Sequence, residues 1–438
     1  MNMMNLRVIV VKNVIMKKII KKVRNPKFYN SDNSMVSINY TWISNNKALL
    51  KKILFISVVL SILSCSKATL ELTPQQEKEL ASIAYGYDTP TKNNEFTIAT
   101  FIDSSLQEHS KEALLQSIQD NDADNGCIIV METNTGKVRA MVNIEYINGK
   151  VNESKTNYAI HNYMEPGSFI KTFDIMALLD DKKADTSTVY SSHNGKVFFY
   201  GKMVQDAHEG GYGDLSLGNA LLYSSNTIFA QAITQAYQNN PNQLVSKLKK
   251  YQLGTNLDIP FANANNQIIP HPNTSKWSAL SLPWMSFGYG LSLSPIQVLN
   301  YYNTIANGGE VVKPLFLSEI KNKEGQTKHY EKKVVASQIS SKSTIVKIQD
   351  LLRKAVVKGT GMSAKSNQVA IAGKTTSVQI NYGKPQTTKQ FLSGFVGYFP
   401  SSKPKYSIIV IVNNPKKVYY GADVAGVVVK NFAEKIQL

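Results

Sequence analysis

Apolar residues recur along this chain in two rhythms. Cys127-Ile-Ile-Val-Met131 and Val138-Arg-Ala-Met-Val142, joined through Thr133-Asn-Thr-Gly136, read as two strands and a glycine turn. Phe169-Ile-Lys-Thr-Phe173-Asp-Ile-Met-Ala-Leu-Leu179 instead repeats at helical spacing, as do stretches over about 214–237, 241–250, 295–306 and 343–357. Strand-like runs return over 369–380, 392–399 and 406–412, and a last helical stretch covers about 422–436. A hairpin, a helical middle, three strands and a helix predict an α/β fold of the α+β type. Its central, mostly antiparallel five-stranded sheet draws on both ends of the chain, with helices on it and a helical subdomain.

The first 97 residues break this pattern. Lys47-Ala-Leu-Leu-Lys51-Lys52 precedes an uncharged apolar run over 53–63, which would cover only ~17 Å of helix, too short for a bilayer core. A signal peptide over 1–64 fits better. Ile62-Leu63-Ser64-Cys65 resembles a bacterial lipobox, which makes Cys65 the expected acylated N-terminus; a plain secretory signal is the alternative. The stretch 1–46 is too long for the charged start of such a signal, so the biological start is expected later, at about Met35. Residues 65–97 read as a polar tether with a short helix at 74–84, ahead of a body over 98–438.

Composition is that of an ordinary folded protein, with 43% hydrophobic and 18% charged residues. The net charge of +18 suggests nucleic acid until it is placed: residues 1–64 hold 11 Lys/Arg and a single acidic residue, Asp32, leaving +8 for the remainder. No nucleic-acid partner is expected. Cys65 and Cys127 are the two cysteines, so no disulfide framework is expected. The six histidines are dispersed, Asp206-Ala-His208-Glu209 being the nearest approach to a ligand cluster, and neither a metal nor a cofactor is expected. Gly373-Lys374-Thr375 imitates the end of a phosphate loop but lacks its first glycine, since Gln368 stands there, and runs into a strand instead of a helix.

Nucleophilic chemistry is better represented. In Ser-x-x-Lys, helical spacing stacks an amine beside a hydroxyl. The pattern occurs at Ser44/Lys47, Ser64/Lys67, Ser246/Lys249, Ser318/Lys321 and Ser402/Lys405 in mostly polar surroundings that keep the lysine solvated. Ser168-Phe-Ile-Lys171 differs: Pro166-Gly167 sets the serine at a helix start, and Lys171 lies among Phe169, Ile170, Phe173 and Ile175. Burial there would favour the neutral amine and so a base near pH 7. By itself the site is equally an N-cap serine followed by a snorkelling lysine. Two further segments change the balance. Ser224-Ser-Asn226 offers a hydroxyl and an amide, and Lys374-Thr-Thr-Ser377 on a strand offers a cation and hydroxyls suited to a carboxylate. Ser-x-x-Lys, Ser-x-Asn and Lys-Thr-x-Ser in that order form the set of penicillin-binding proteins and serine β-lactamases.

On these motifs, residues of about 98–438 resemble the transpeptidase domain of class B penicillin-binding proteins. Ile102-Asp-Ser-Ser-Leu-Gln107, Met131–Met141, Met164-Glu-Pro-Gly-Ser-Phe-Ile-Lys171, Ser286–Pro295, Ala306-Asn-Gly-Gly309 through Lys313-Pro314 and Phe395-Val-Gly-Tyr-Phe-Pro400 are similar to its segments in order. The resemblance implies that Ser168 is acylated, with Lys171 as general base and Ser224 and Asn226 relaying protons and holding the substrate amide. It implies further that Lys374 polarises Ser224, that Thr375 and Ser377 bind a terminal carboxylate, and that the backbone amides of Ser168 and Ser377 form an oxyanion hole. The implied function is D,D-transpeptidation of peptidoglycan stem peptides ending in D-Ala-D-Ala, with β-lactam antibiotics as inhibitors. The implied location is the cell envelope, anchored to a membrane through a lipid on Cys65. Non-catalytic penicillin-binding or sensor proteins share the fold, as do serine β-lactamases.

Three departures stand out. Thr376 occupies the position of the family's glycine, and strand alternation puts its branched side chain on the same face as Lys374, into the space of the substrate. The segment between Cys65 and residue 98 is too short for the family's pedestal domain. A lipid in place of a membrane helix leaves a glycosyltransferase partner open.

Overall fold

The computed structural model describes residues 69–84, 91–92, 95–147, 149–154, 156–257, 259, 268–380 and 389–436. The expected signal segment 1–64, Met35 and Cys65 lie outside them. Helix α1 (Pro74–Ala84) opens with a reciprocal cap, in which Gln76 N donates to Thr73 Oγ1 at 3.2 Å and Thr73 N donates to Gln76 Oε1 at 2.9 Å. It buries Leu80 and Ala81 and pairs Glu77 with Lys328. Strands Thr91–Lys92 and Phe96–Thr100 then join Leu317–Asn322 and Thr327–His329 in a four-stranded outlying sheet, with Ile98 and Ile320 fully buried. Within the tether expected over 65–97, Leu70, Leu80 and Ala81 are buried against the body and Thr69 bridges Thr327, because these apolar side chains find a core to enter.

Helix α2 (Ser104–Asn121) follows, capped by Asp103, whose carboxylate accepts from Ser105 N and Leu106 N at 3.1 Å each. The expected hairpin is present as β1 (Asn125–Glu132) and β2 (Val138–Ile147), and β3 (Lys150–Glu153) extends it. The middle of the chain supplies α3 (Ile170–Asp180), α4 (Leu217–Tyr223), α5 (Asn226–Tyr237), α6 (Pro295–Ala306) and α7 (Lys342–Lys358). Strands β4 (Ala372–Gln379), β5 (Phe391–Phe399) and β6 (Tyr406–Asn413) and helix α8 (Val427–Lys435) complete it.

These strands make one antiparallel sheet in the order β4-β5-β6-β1-β2-β3. Five strands were expected; the sixth is β3, entered from Gly149 at φ +77° and paired with β2. Alternation sorts the strand residues into two cores. Cys127, Ile129, Met131, Val396, Tyr398, Ile409 and Ile411 face the helical body, while Ile128, Val130, Phe395, Phe399, Ile408, Val410 and Val412 face α2 and α8. Buried on both sides over its central strands, the sheet is a platform with β4 at one edge and β3 at the other. Boundaries differ from expectation in two stretches. The strand predicted from 369 begins at Ala372; of the helix predicted over 214–237, Asp214–Ser216 is a strand and the remainder is broken at Ser224.

Candidate active site

That break shapes the site. Ser224 ends α4 in the left-handed region at φ +61°, and Ser225 immediately caps α5 by accepting from Ile228 N at 3.3 Å. Asp206 fixes the corner: its carboxylate accepts from Ser225 Oγ at 3.0 and 3.1 Å, Thr227 N at 3.0 Å and Thr227 Oγ1 at 2.9 Å. Ser224 and Asn226 are thereby turned toward α3, and Asn226 Nδ2 is held by Gln205 O at 2.8 Å.

Ser168 lies in the single turn Gly167–Phe169 that leads into α3. Gly167 has φ +54°, and a Cβ there would stand 2.3 Å from Val378 Cγ2 and 2.4 Å from Thr376 Oγ1, so only glycine brings this turn against β4. One turn later, Lys171 is fully buried on a helix that is apolar nearly all round. Its Nζ stands 2.8 Å from Ser168 Oγ, 2.7 Å from Asn226 Oδ1, 2.9 Å from Ser224 O and 3.2 Å from Ser224 Oγ. Lys374, also fully buried, reaches Ser224 Oγ at 3.0 Å and Thr375 O at 3.1 Å from the other side. Residues from three distant stretches thus form one chain: Ser168, Lys171, Ser224 and Lys374, with Asn226 beside it.

Two buried ammonium groups sharing one hydroxyl cannot both keep their charge cheaply. Burial pushes the Lys171 amine down to about 7, with the carboxylates of Asp206 and Asp174 opposing it. Lys374 is pushed well below the ordinary lysine range by burial and then by Lys171. Asp174, one turn along α3 from Lys171, is pushed well above the carboxylate range by burial, with Lys171 opposing. A neutral Lys171 satisfies its contacts well: two N–H bonds serve Asn226 Oδ1 and Ser224 O, and the lone pair faces the Ser168 hydroxyl.

The last motif divides by strand phase. Lys374 and Thr376 face α3, and Thr376 Oγ1 accepts from Ser168 N at 3.0 Å while donating to Pro166 O at 3.1 Å. Thr375 and Ser377 take the alternate phase. Thr375 Oγ1 meets Thr360 Oγ1 at 3.0 Å, and Ser377, which is exposed, accepts from Gly421 N at 2.8 Å. Cys65, the expected lipid site, is outside the described residues. Among the described residues no helix is long and apolar enough to cross a membrane.

Asp174 and Thr360 had no expected role, and Asp206 was singled out only within Asp206-Ala-His208-Glu209 as the nearest approach to a metal cluster. Asp174 was detectable as a carboxylate three residues from Lys171 within an apolar helix; Asp206 stands 19 and 21 residues before Ser225 and Thr227, and Thr360 15 before Thr375, separations that no helix or strand repeat marks.

The sheet, its helical body and the convergent motifs define a class B penicillin-binding protein transpeptidase domain. A family profile described as "Penicillin binding protein transpeptidase domain" matches residues 126–434, and the chain belongs to that family. Among curated relatives, it is 27% identical over 375 residues to peptidoglycan D,D-transpeptidase FtsI of Buchnera aphidicola subsp. Baizongia pistaciae, covering 82% of this chain and 62% of that protein. It is 25% identical over 334 residues to the Escherichia coli K12 protein of the same name, covering 75% and 54% respectively. The chain thus spans less than two thirds of their length. In fold it is similar to the transpeptidase domain of Burkholderia pseudomallei penicillin-binding protein 3, with TM-score 0.65 at 23% identity over 80% of this chain and 96% of that one. Penicillin-binding protein 3 from Mycobacterium tuberculosis, complexed with aztreonam, gives TM-score 0.67 at 22% identity over 78% of each chain.

Proposed function

We propose that this protein is an acyl-serine D,D-transpeptidase that cross-links peptidoglycan stem peptides in the bacterial cell envelope and is acylated by β-lactams. One observation carries the reading: the buried Lys171 amine stands 2.8 Å from Ser168 Oγ and also reaches Ser224 and Asn226. Ser168 Oγ attacks the carbonyl carbon of the penultimate D-Ala, and its proton passes to Lys171 Nζ. Collapse of the tetrahedral intermediate breaks the bond to the terminal D-Ala, whose nitrogen takes a proton through Ser224, backed by Lys374. An amine of a neighbouring stem then attacks the ester, releases Ser168 and forms the cross-link; water in its place would give a carboxypeptidase. Thr375, with Thr360 beside it, and Ser377 are the assigned partners of the substrate carboxylate, and the amides of Ser168 and Ser377 those of the developing oxyanion. A lipid on Cys65 would hold the enzyme at a membrane surface, facing the wall.

Incubation of the full chain with a fluorescent penicillin is expected to give a covalent adduct seen by intact mass and lost in Ser168→Ala. No adduct, or one that survives that substitution, refutes the assignment. A second reading, a penicillin-binding sensor without turnover, is favoured by the contact between Thr376 and the Ser168 amide. It predicts an adduct without release of D-Ala from a peptide ending in D-Ala-D-Ala. Rapid drug hydrolysis would indicate a β-lactamase.

A further inference from the structure

An oxyanion formed by attack of Ser168 needs N–H donors at about 2.7–3.1 Å from its oxygen. One backbone donor beside Ser168 Oγ is the serine's own amide, at the head of the turn into α3. A second comes from the free edge of β4. Gln379 N donates outward to Tyr289 OH at 3.3 Å, and Thr375 O faces outward to Lys374 Nζ, so Ser377, midway between in the two-residue repeat, presents its amide in the same outward phase.

The first donor is already occupied. Thr376 Oγ1 stands 3.0 Å from Ser168 N, at full hydrogen-bond distance, and its own proton goes to Pro166 O. Its side chain is 1% exposed and fits a niche made by two glycines. A Cβ on Gly167 would fall 2.4 Å from Thr376 Oγ1, and one on Gly394, its register partner on β5, would fall 3.1 Å from Thr376 Cγ2. With the methyl seated over Gly394, the hydroxyl is directed at the Ser168 amide. One N–H cannot serve both this oxygen and that of an incoming carbonyl at full strength.

We propose that the Thr376 hydroxyl is a built-in occupant of the oxyanion site, which must leave the Ser168 amide before an acyl group can be accepted, and so gates acylation. This rests on the acyl-serine reading above. Intrusion into substrate space, expected from strand alternation, gives way to a polar mechanism: the hydroxyl takes a donor that the transition state needs.

The test compares second-order acylation rates of the full chain and its Thr376→Gly, Thr376→Ala and Thr376→Ser variants with a fluorescent penicillin, folding being checked by circular dichroism. Removing one oxyanion donor costs about 10²–10³ in rate in other enzymes, so freeing it is expected to accelerate Gly and Ala variants at least ~10-fold. Thr376→Ala keeps the Cβ and serves if glycine unsettles the strand. Thr376→Ser keeps the hydroxyl and is expected within ~3-fold of the parent. Acceleration of Gly and Ala but not Ser supports the gate. Unchanged Gly and Ala variants, or a Ser variant as fast as Gly, overturn it while leaving the acyl-serine reading intact. No labelling of any form overturns both.

Discussion

Asp206→Asn probes how the base is set. The Asp206 carboxylate is the foremost group holding Lys171 in its charged form against burial. With Lys171 at about 7, about 70% of the amine is neutral at pH 7.4, against roughly one part in a thousand for an ordinary lysine. Burial therefore supplies about three orders of magnitude in available base. The second-order acylation rate should rise about tenfold per pH unit below 7 and level off above it, because this constant reports the free enzyme. Neutralising Asp206 removes an attraction that favours the ammonium, so the amine loses its proton more readily and the acid limb moves roughly one pH unit toward acid. Near pH 6 the variant should then run at roughly five times the parent's fraction of its own plateau. The plateau itself is expected to fall a few-fold, since the weaker base accepts the proton less readily. Asparagine Oδ1 can still accept from Thr227 N, so the corner between α4 and α5 is preserved. The assay is stopped-flow acylation by a fluorescent penicillin from pH 5 to 9, each profile normalised to its plateau. A limb that stays in place or moves toward alkali refutes the assignment of Lys171 as the titrating base under the influence of Asp206.

Two further outcomes are expected. Leu80→Ala empties a site 4% exposed in the core beneath α1, so the denaturation midpoint should fall by an amount equivalent to about 2–3 kcal/mol; an unchanged midpoint would mean that this segment is only a tether. Gly167→Ala combines φ +54° with a Cβ 2.3 Å from Val378 Cγ2, and it is expected to abolish penicillin labelling with a lowered melting temperature, which full labelling would contradict.

Much of this was legible because local pattern and tertiary demand coincide. The stretches 241–250 and 295–306 fold with the expected limits, the second sealed by Pro295 and the reciprocal Ser294/Gln297 cap. Ser168/Lys171 was separable from its five look-alikes by apolar surroundings, and the coordinates show why: Lys171 is fully buried, whereas Lys249, Lys321 and Lys405 are exposed. What escaped notice follows a physical rule too. Helix α2 gave no signal because its buried stripe of Leu106, Ser110, Leu114, Ser117 and Ile118 is partly serine, and Ser117 Oγ hides its polarity by donating to Val424 O at 2.8 Å. At Ser224 the apolar spacing runs on to 237, while Ser-x-Asn at the end of the pattern 214–223 also reads as a cap; the Ser225 cap and Asp206 impose the corner. For Thr376 strand alternation yields the face but not the bond, which depends on where a turn 208 residues away presents its amide.

The place of β6 beside β1 governs how the molecule can be assembled. Asn413 Nδ2 donates to Asn125 Oδ1 at 2.7 Å across 288 residues of sequence, so the sheet's middle seam joins the earliest and latest strands. A chain in which only β1, β2 and β3 have paired carries half a platform, with an apolar seam left open until the final strands join it. Such high contact order makes folding slow and exposes that seam to aggregation in the interval. Lys374 arrives on one of those final strands, so the line of contacts from Ser168 through Lys171 and Ser224 to Lys374 closes only in the finished molecule.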